Sequence, residues 1–229
     1  MEAGRGDRAA LATAAERARP VALAREHLLA VEPALAPLLP DGALRRGTTV
    51  AVDGPAARSL ALALAAGPSA VGSWVGVVGL PSLGLAAAAE VGVALERLLL
   101  VAAPPPSEWA TVVATLVDGV DVVVVGLPRW VRVGDARRLQ ARIRQRGAVL
   151  VTVGAAGSLE ADVGMTAETA TWVGLEEGAG HLQGRRVVVA ATGRRAAARS
   201  RRVALWLPDG DGRVRPDDTG TVVPLRGTA

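Results

Sequence analysis

Residues 50–62, Val-Ala-Val-Asp-Gly-Pro-Ala-Ala-Arg-Ser-Leu-Ala-Leu, set a β-branched run, a glycine turn and an Ala/Leu helix in succession. A strand running into a turn and a helix N-terminus is where backbone N–H groups can hold a phosphate. A working P-loop needs Gly-x-x-x-x-Gly-Lys-Ser/Thr, in which the lysine neutralises the phosphates. Here the loop is too short and the second glycine is missing. Arg58 stands in the lysine region, just before Ser59. A guanidinium fork is bulkier than an ammonium and cannot simply replace it in a tight cradle. Gly54, Pro55, Arg58 and Ser59 therefore read as a degenerate phosphate-loop position. An ordinary tight strand-to-helix turn accounts for them more simply than nucleotide binding, and no cofactor is expected.

The other parts of a nucleotide-hydrolysing site are missing as well. Magnesium would need a carboxylate at the tip of a buried strand. The best such strand, residues 121–126, ends in Gly126, and its Asp121 sits at the wrong end. The turn after the strand of residues 73–79 reads Gly-Leu-Pro-Ser and offers no carboxylate to activate water. All 26 basic residues are arginine, so no lysine can serve as Schiff base or phosphate ligand. Cysteine is absent, which excludes disulfides and thiolate chemistry. Only His27 and His181 could supply imidazole, too few and too far apart in sequence for a His-rich metal site. Glu176, Glu177 and His181 share a Gly-rich turn without a nucleophile, so a surface turn is expected there. The chain is read as a non-enzyme.

Charge points to surfaces instead. Through Trp109 there are 9 Arg against 10 acids; from Ala110 onward there are 17 Arg against 12 acids. Residues 185–202 hold seven Arg and no acid, including Arg194, Arg195, Arg199, Arg201 and Arg202. Such clustering suits an anionic contact. Without Phe or Tyr, however, tryptophan is nearly the only ring able to stack on bases. Trp130 lies in Pro-Arg129-Trp130-Val-Arg132, past the C-terminal end of a central strand. Partners favour that edge in α/β sheets, and Trp and Arg dominate interface hot spots. Arg129, Trp130 and Arg132 are thus candidate interface residues beside the arginine cluster; folding of Trp130 onto its own sheet is the alternative. Trp74, Trp109 and Trp172 are read as packed inward.

These residues need a scaffold. Half of the 229 residues are hydrophobic, enough for one full core. Residues 8–30 read as a helix interrupted at Pro20. Strands are expected over residues 48–53, 73–79, 97–102, 121–126 and 149–153. Helices are expected over 58–66, closed by Gly67-Pro68, and over 83–91, 107–117 (capped by Ser107) and 135–146. The run Val122–Val125 is apolar on both faces, as a central parallel strand must be. Ala136, Leu139 and Ile143 mark one face of the last helix. After Gly154, strands near residues 171–175, 187–192 and 203–207 follow with no clear helices between them. The fold class is α/β: a mostly parallel central sheet extended by late antiparallel strands. Residues 60–89 carry no charge, but Gly67-Pro68 and Pro81 break them into runs shorter than the ~18 residues of a membrane span. The N-terminus alternates acids and arginines, unlike a secretion signal. No membrane partner and a cytoplasmic location are expected.

The order of these segments resembles RecA-like recombinases. Residues 39–47 (Leu-Pro-Asp-Gly-Ala-Leu-Arg-Arg-Gly) are similar to their lead-in to the first strand. Gly54-Pro55 and residues 90–100 also match in position, and residues 119–125 resemble the magnesium-site strand without its Asp. Residues 184–207 resemble the late β-hairpin. The decayed sites look most like the ImuA-type proteins, in their actinobacterial ImuA-prime form. This resemblance implies a RecA-like domain over residues 35–207, with an N-terminal helical segment (1–34) and a flexible C-terminal tail (208–229). It implies an accessory factor of damage-inducible translesion synthesis, and hence of mutagenic DNA repair in the SOS response. Its partners would be an inactive Y-family polymerase homologue of the ImuB type and an error-prone replicative-type polymerase, with at most a weak DNA contact. The segments where recombinases carry DNA-binding loops, residues 127–135 and 154–165, are short. The second holds Glu160 and Asp162 and no Arg. An Arg-rich DNA-binding module and a residual nucleotide binder are the competing readings.

Overall fold

Val122–Gly126, the strand β6, shows how the sheet is built. Val122 and Val124 face one buried cluster, and Val123 and Val125 face another. Only a strand covered on both faces tolerates that pattern. In this computed structural model the described residues are 27–128, 131–154, 159–176, 179–194 and 197–217. Their parallel strands are β3 (Thr49–Asp53), β4 (Val75–Val78), β5 (Leu98–Val101), β6, β7 (Val149–Val153) and β8 (Val163–Glu176). β8 turns back antiparallel into β9 (Ala179–Gly193), which pairs with β10 (Arg201–Trp206), and β10 pairs with β11 (Arg215–Pro216). The order across the sheet is β11-β10-β9-β8-β3-β7-β6-β4-β5. The chain is thus α/β, with a large mostly parallel sheet plus late antiparallel strands, as expected from the sequence.

Helix α1 (Ala57–Ala70) covers one face through Leu60 and Leu64, both fully buried. Helices α3 (Trp109–Gly119) and α4 (Val133–Arg146) cover the other through Val113, Val117, Leu139 and Ile143. Helix α2 (Leu85–Val91) packs beside α1. Among the described residues no helix is long and apolar enough to cross a membrane.

Several boundaries differ from the sequence reading. Leu28–Ala30 is not helical but a strand, β1, paired antiparallel with β2 (Ala43–Arg45). α1 does not stop at Gly67-Pro68 but runs to Ala70. Gly67 is where it meets the β1 end: a Cβ there would stand 2.6 Å from the Ala30 carbonyl oxygen. Pro68 falls in the last turn, where its carbonyl accepts from Val71 and Ser73 N–H groups. α3 begins behind Glu108, with no side-chain cap from Ser107. The late strands are longer than expected, because β8 and β9 pair over most of their length as one long hairpin.

The start of the supposed tail is also ordered. Residues 208–217 fold back on the sheet edge: Asp209 Oδ1 accepts the N–H groups of Asp211 and Arg213 at 2.9 Å, and β11 joins β10. Asp217 is buried, and Gly212 packs closely on Glu90 of α2. The expected helix before residue 27 and the rest of the tail, residues 218–229, lie outside the described residues.

Candidate functional site

At the C-terminal end of β3 the chain turns at Gly54 and enters α1. Gly54 has φ +95°, and a Cβ there would lie 2.3 Å from the carbonyl oxygen of Ala167 on β8. Only glycine fits that backbone and that approach. The Asp53 carboxylate accepts the Gly54 N–H at 2.8 Å, which takes one turn donor out of reach of a ligand. Ala56 caps the helix without a side-chain bond, and no acid occupies the first turn. Arg58 is exposed beside it. The turn opens on a cavity of about 530 Å³ lined by Asp53, Arg58, Ser59, Ser82, Gly154 and Arg185.

Arg185, on β9, is the residue that defines this site. It is 9% exposed. Its Nη2 donates to Ser59 Oγ at 2.6 Å and its Nε to the Leu207 carbonyl at 2.8 Å. The guanidinium lies 5.0 Å from the ring centroid of Trp172 on β8, within cation–π range. Among the described residues no carboxylate pairs with it, and burial pushes its pKa below the ordinary arginine value. A cation from β9, two strands away from β3, therefore occupies the hydroxyl that a phosphate-binding loop would use. The sequence places Arg185 and Ser59 126 residues apart. Arg185 is legible there only as one member of an arginine cluster.

That cluster is not a free basic face. Arg186 donates through Nε to buried Asp217 at 2.8 Å. Arg194 pairs with Glu160, whose pKa that hydrogen bond lowers. Arg202 pairs with Glu168 at 2.8 Å. Arg201 donates to the Arg199 carbonyl at 3.1 Å. The acids missing from residues 185–202 arrive through strand pairing and the fold-back of residues 208–217. On α4, Arg142 Nε and Arg146 Nε reach Asp118 of α3 at 2.7 and 2.9 Å. The Arg142 hydrogen bond leads in holding Asp118 at a pKa of about 2.

Gly126 does end β6 and presents no side chain there. Arg132 precedes α4 and is exposed. Its companions Arg129 and Trp130 lie outside the described residues, as do Arg195 and Glu177. Trp109 is buried as expected. Trp74 and Trp172 are not core residues: they are 43% and 46% exposed. Trp74 directly precedes β4, Trp172 lies on β8 beyond its pairing with β3, and Arg185 covers one face of the Trp172 ring. Among the described residues no group of three or more His, Asp or Glu could hold a metal ion.

A family model described as the MT3502 N-terminal domain matches residues 37–158, which run from the lead-in before β2 to the segment after β7. A Mycobacterium tuberculosis protein named "Uncharacterized protein Rv3395c" is 41% identical over 117 residues. That match takes in 50% of this chain and 56% of the mycobacterial protein, whose name assigns no activity.

Proposed function

From a chain that belongs to the family of the MT3502 N-terminal domain, we propose a non-catalytic, RecA-like accessory subunit of the ImuA type. In this reading it serves as a protein-interaction subunit in damage-inducible translesion synthesis. It works in the cytoplasm beside an ImuB-type inactive Y-family polymerase homologue and an error-prone replicative-type polymerase. The parallel sheet, whose middle strand β3 runs into the degenerate turn and α1, agrees with the RecA-like resemblance, as do the late antiparallel strands.

The observation that carries the proposal is the bond from Arg185 to Ser59. A functioning cradle keeps its hydroxyl and turn amides free for phosphate and magnesium. Here the hydroxyl accepts from Arg185 and the Gly54 amide is held by Asp53. Arg58 supplies charge at the rim without a second glycine to wrap a phosphate. The pairing of the 185–202 arginines with Glu160, Glu168 and Asp217 speaks against a dedicated DNA-binding face.

Two measurements test this. Steady-state phosphate release from ATP should equal that of Arg58→Ala; release clearly above that variant overturns the non-catalytic reading. The purified chain should co-elute with the ImuB-type protein, and Trp130→Ala should weaken that complex by about 2 kcal/mol or more. If Trp130→Ala lowers thermal stability and leaves affinity unchanged, Trp130 is a packing residue and not an anchor.

A further inference from the structure

The opposite end of the central strands holds a second concavity. It lies where β3 and β8 begin and where α4 ends, with a volume of about 420 Å³. Its floor is apolar, built from Leu44, Val50 and Val163, all buried. Its rim carries Arg45, Arg46, Arg144 and Arg194, brought together from three separate segments. Neither the degenerate turn nor the Arg-rich run in the sequence predicts this grouping.

The rim charges are unequally satisfied. Arg45 holds Asp41 at 2.9 Å, Arg46 holds Asp121 at 2.9 Å, and Arg194 holds Glu160. Arg144 makes no hydrogen bond or ion pair among the described residues. The lining contains two carboxylates, those of Asp41 and Asp162, against four guanidiniums. Asp162 is engaged as well, accepting the Thr49 N–H at 2.9 Å. The groove thus combines an apolar floor with a rim on which three arginines are held by carboxylates and one, Arg144, has a guanidinium with no partner among the described residues.

We propose that this groove docks an acidic peptide segment of a partner protein, with an apolar side chain on the floor and a carboxylate on Arg144. Arginine's planar fork binds carboxylates through paired N–H···O bonds. The lining contains no aromatic ring, so bases would find nothing to stack on. That favours peptide over single-stranded nucleic acid. The proposal rests on the interaction-subunit reading only for the existence of a partner protein. A synthetic ligand lets the two fail separately.

The test is fluorescence anisotropy on the full chain, using a labelled peptide of about 12 residues that alternates leucine and glutamate. Saturable binding is expected, with no binding of the lysine-for-glutamate peptide. Arg144→Glu should weaken binding about tenfold or more, and Arg144→Ala by less. Arg138→Glu makes the same charge change on the first turns of α4, outside the groove, and should alter it less than about twofold. Arg144 breaks no ion pair when replaced, so the melting curves of its variants should overlay the wild type. Should Arg144→Glu fail to fold, Arg144→Ala carries the comparison. The proposal is overturned if the acidic peptide does not bind, or if Arg138→Glu is as damaging as Arg144→Glu. It is also overturned if a thymidine oligonucleotide competes with the peptide and shows the same dependence on Arg144, which would make the groove a nucleic-acid site.

Discussion

The two ends of β3 carry similar chemistry in opposite states. At the C-terminal end, the sequence displays a near-motif, and the structure shows its groups already bonded within the chain. Asp53 takes the Gly54 amide, and Arg185 takes Ser59, Leu207 and the face of Trp172. At the N-terminal end there is no motif, yet Arg144 stands over an apolar floor with its donors free. A near-motif reports where a backbone could suit a ligand. Whether a group is still available depends on what the rest of the chain brings to it. An arginine that is buried and bonded acts on stability, whereas one that is exposed and unpaired can act only on a partner.

That contrast can be broken by substitution at either end. The largest effect is expected for Gly54→Ala. The new Cβ meets a backbone oxygen and sits at positive φ, so unfolding in urea should show a loss of about 3 kcal/mol. A loss below about 1 kcal/mol would mean that β8 yields and the turn is not locked. Next comes Arg185→Met, which leaves the Leu207 carbonyl and Ser59 hydroxyl without their donor. Charge-assisted bonds to two acceptors are lost, and relief of the buried charge offsets part of that. The net expectation is about 2 kcal/mol of destabilisation. Arg144→Met, the same chemical change at the other end, should stay within about 0.5 kcal/mol. If the two arginines cost the same, the distinction between a structural and an available guanidinium fails.

The sequence makes this architecture readable where one element suffices to reveal it. The Val122–Val125 run announces a strand buried on both faces, and Ala136, Leu139 and Ile143 announce the inner face of α4. It conceals whatever depends on pairing at a distance. β1 looks helical until β2 supplies its partner, Leu44 pairing with Leu29 15 residues earlier. α1 passes through Gly67-Pro68, and the glycine there serves the close approach of the β1 end, which no helix propensity encodes. Residues 208–217 look like a tail until Asp217 finds Arg186. The same blindness affected the sites. Seven arginines without an acid look like a free basic face, but three of them meet acids on β8, just before it, and at position 217. Arg144, among the less conspicuous arginines of α4, is one left unpaired.

The smallest expected effect lies on α4 itself and tests why Arg144 differs from its neighbours. Arg142 and Arg146 clasp Asp118, whose pKa falls from an ordinary 3.8 to about 2. A carboxylate with a depressed folded-state pKa adds stability that is fully present above its unfolded value and is lost as pH falls through its folded value. The clasp should therefore contribute constantly above about pH 4 and fade towards pH 2. Asp118→Asn removes the titrating group. The gap in urea midpoint between wild type and Asp118→Asn should be small and flat near neutrality, as exposed pairs are, and should close in that acid window. Arg144→Met should leave the gap untouched at every pH, because Arg144 takes no part in the clasp. A gap that persists below pH 2 would mean that it does not arise from the Asp118 charge, and one that shrinks when Arg144 is replaced would mean that the three arginines share Asp118. Arg144 would then be no freer than Arg142 or Arg146, and the difference between the two ends of the sheet would narrow accordingly.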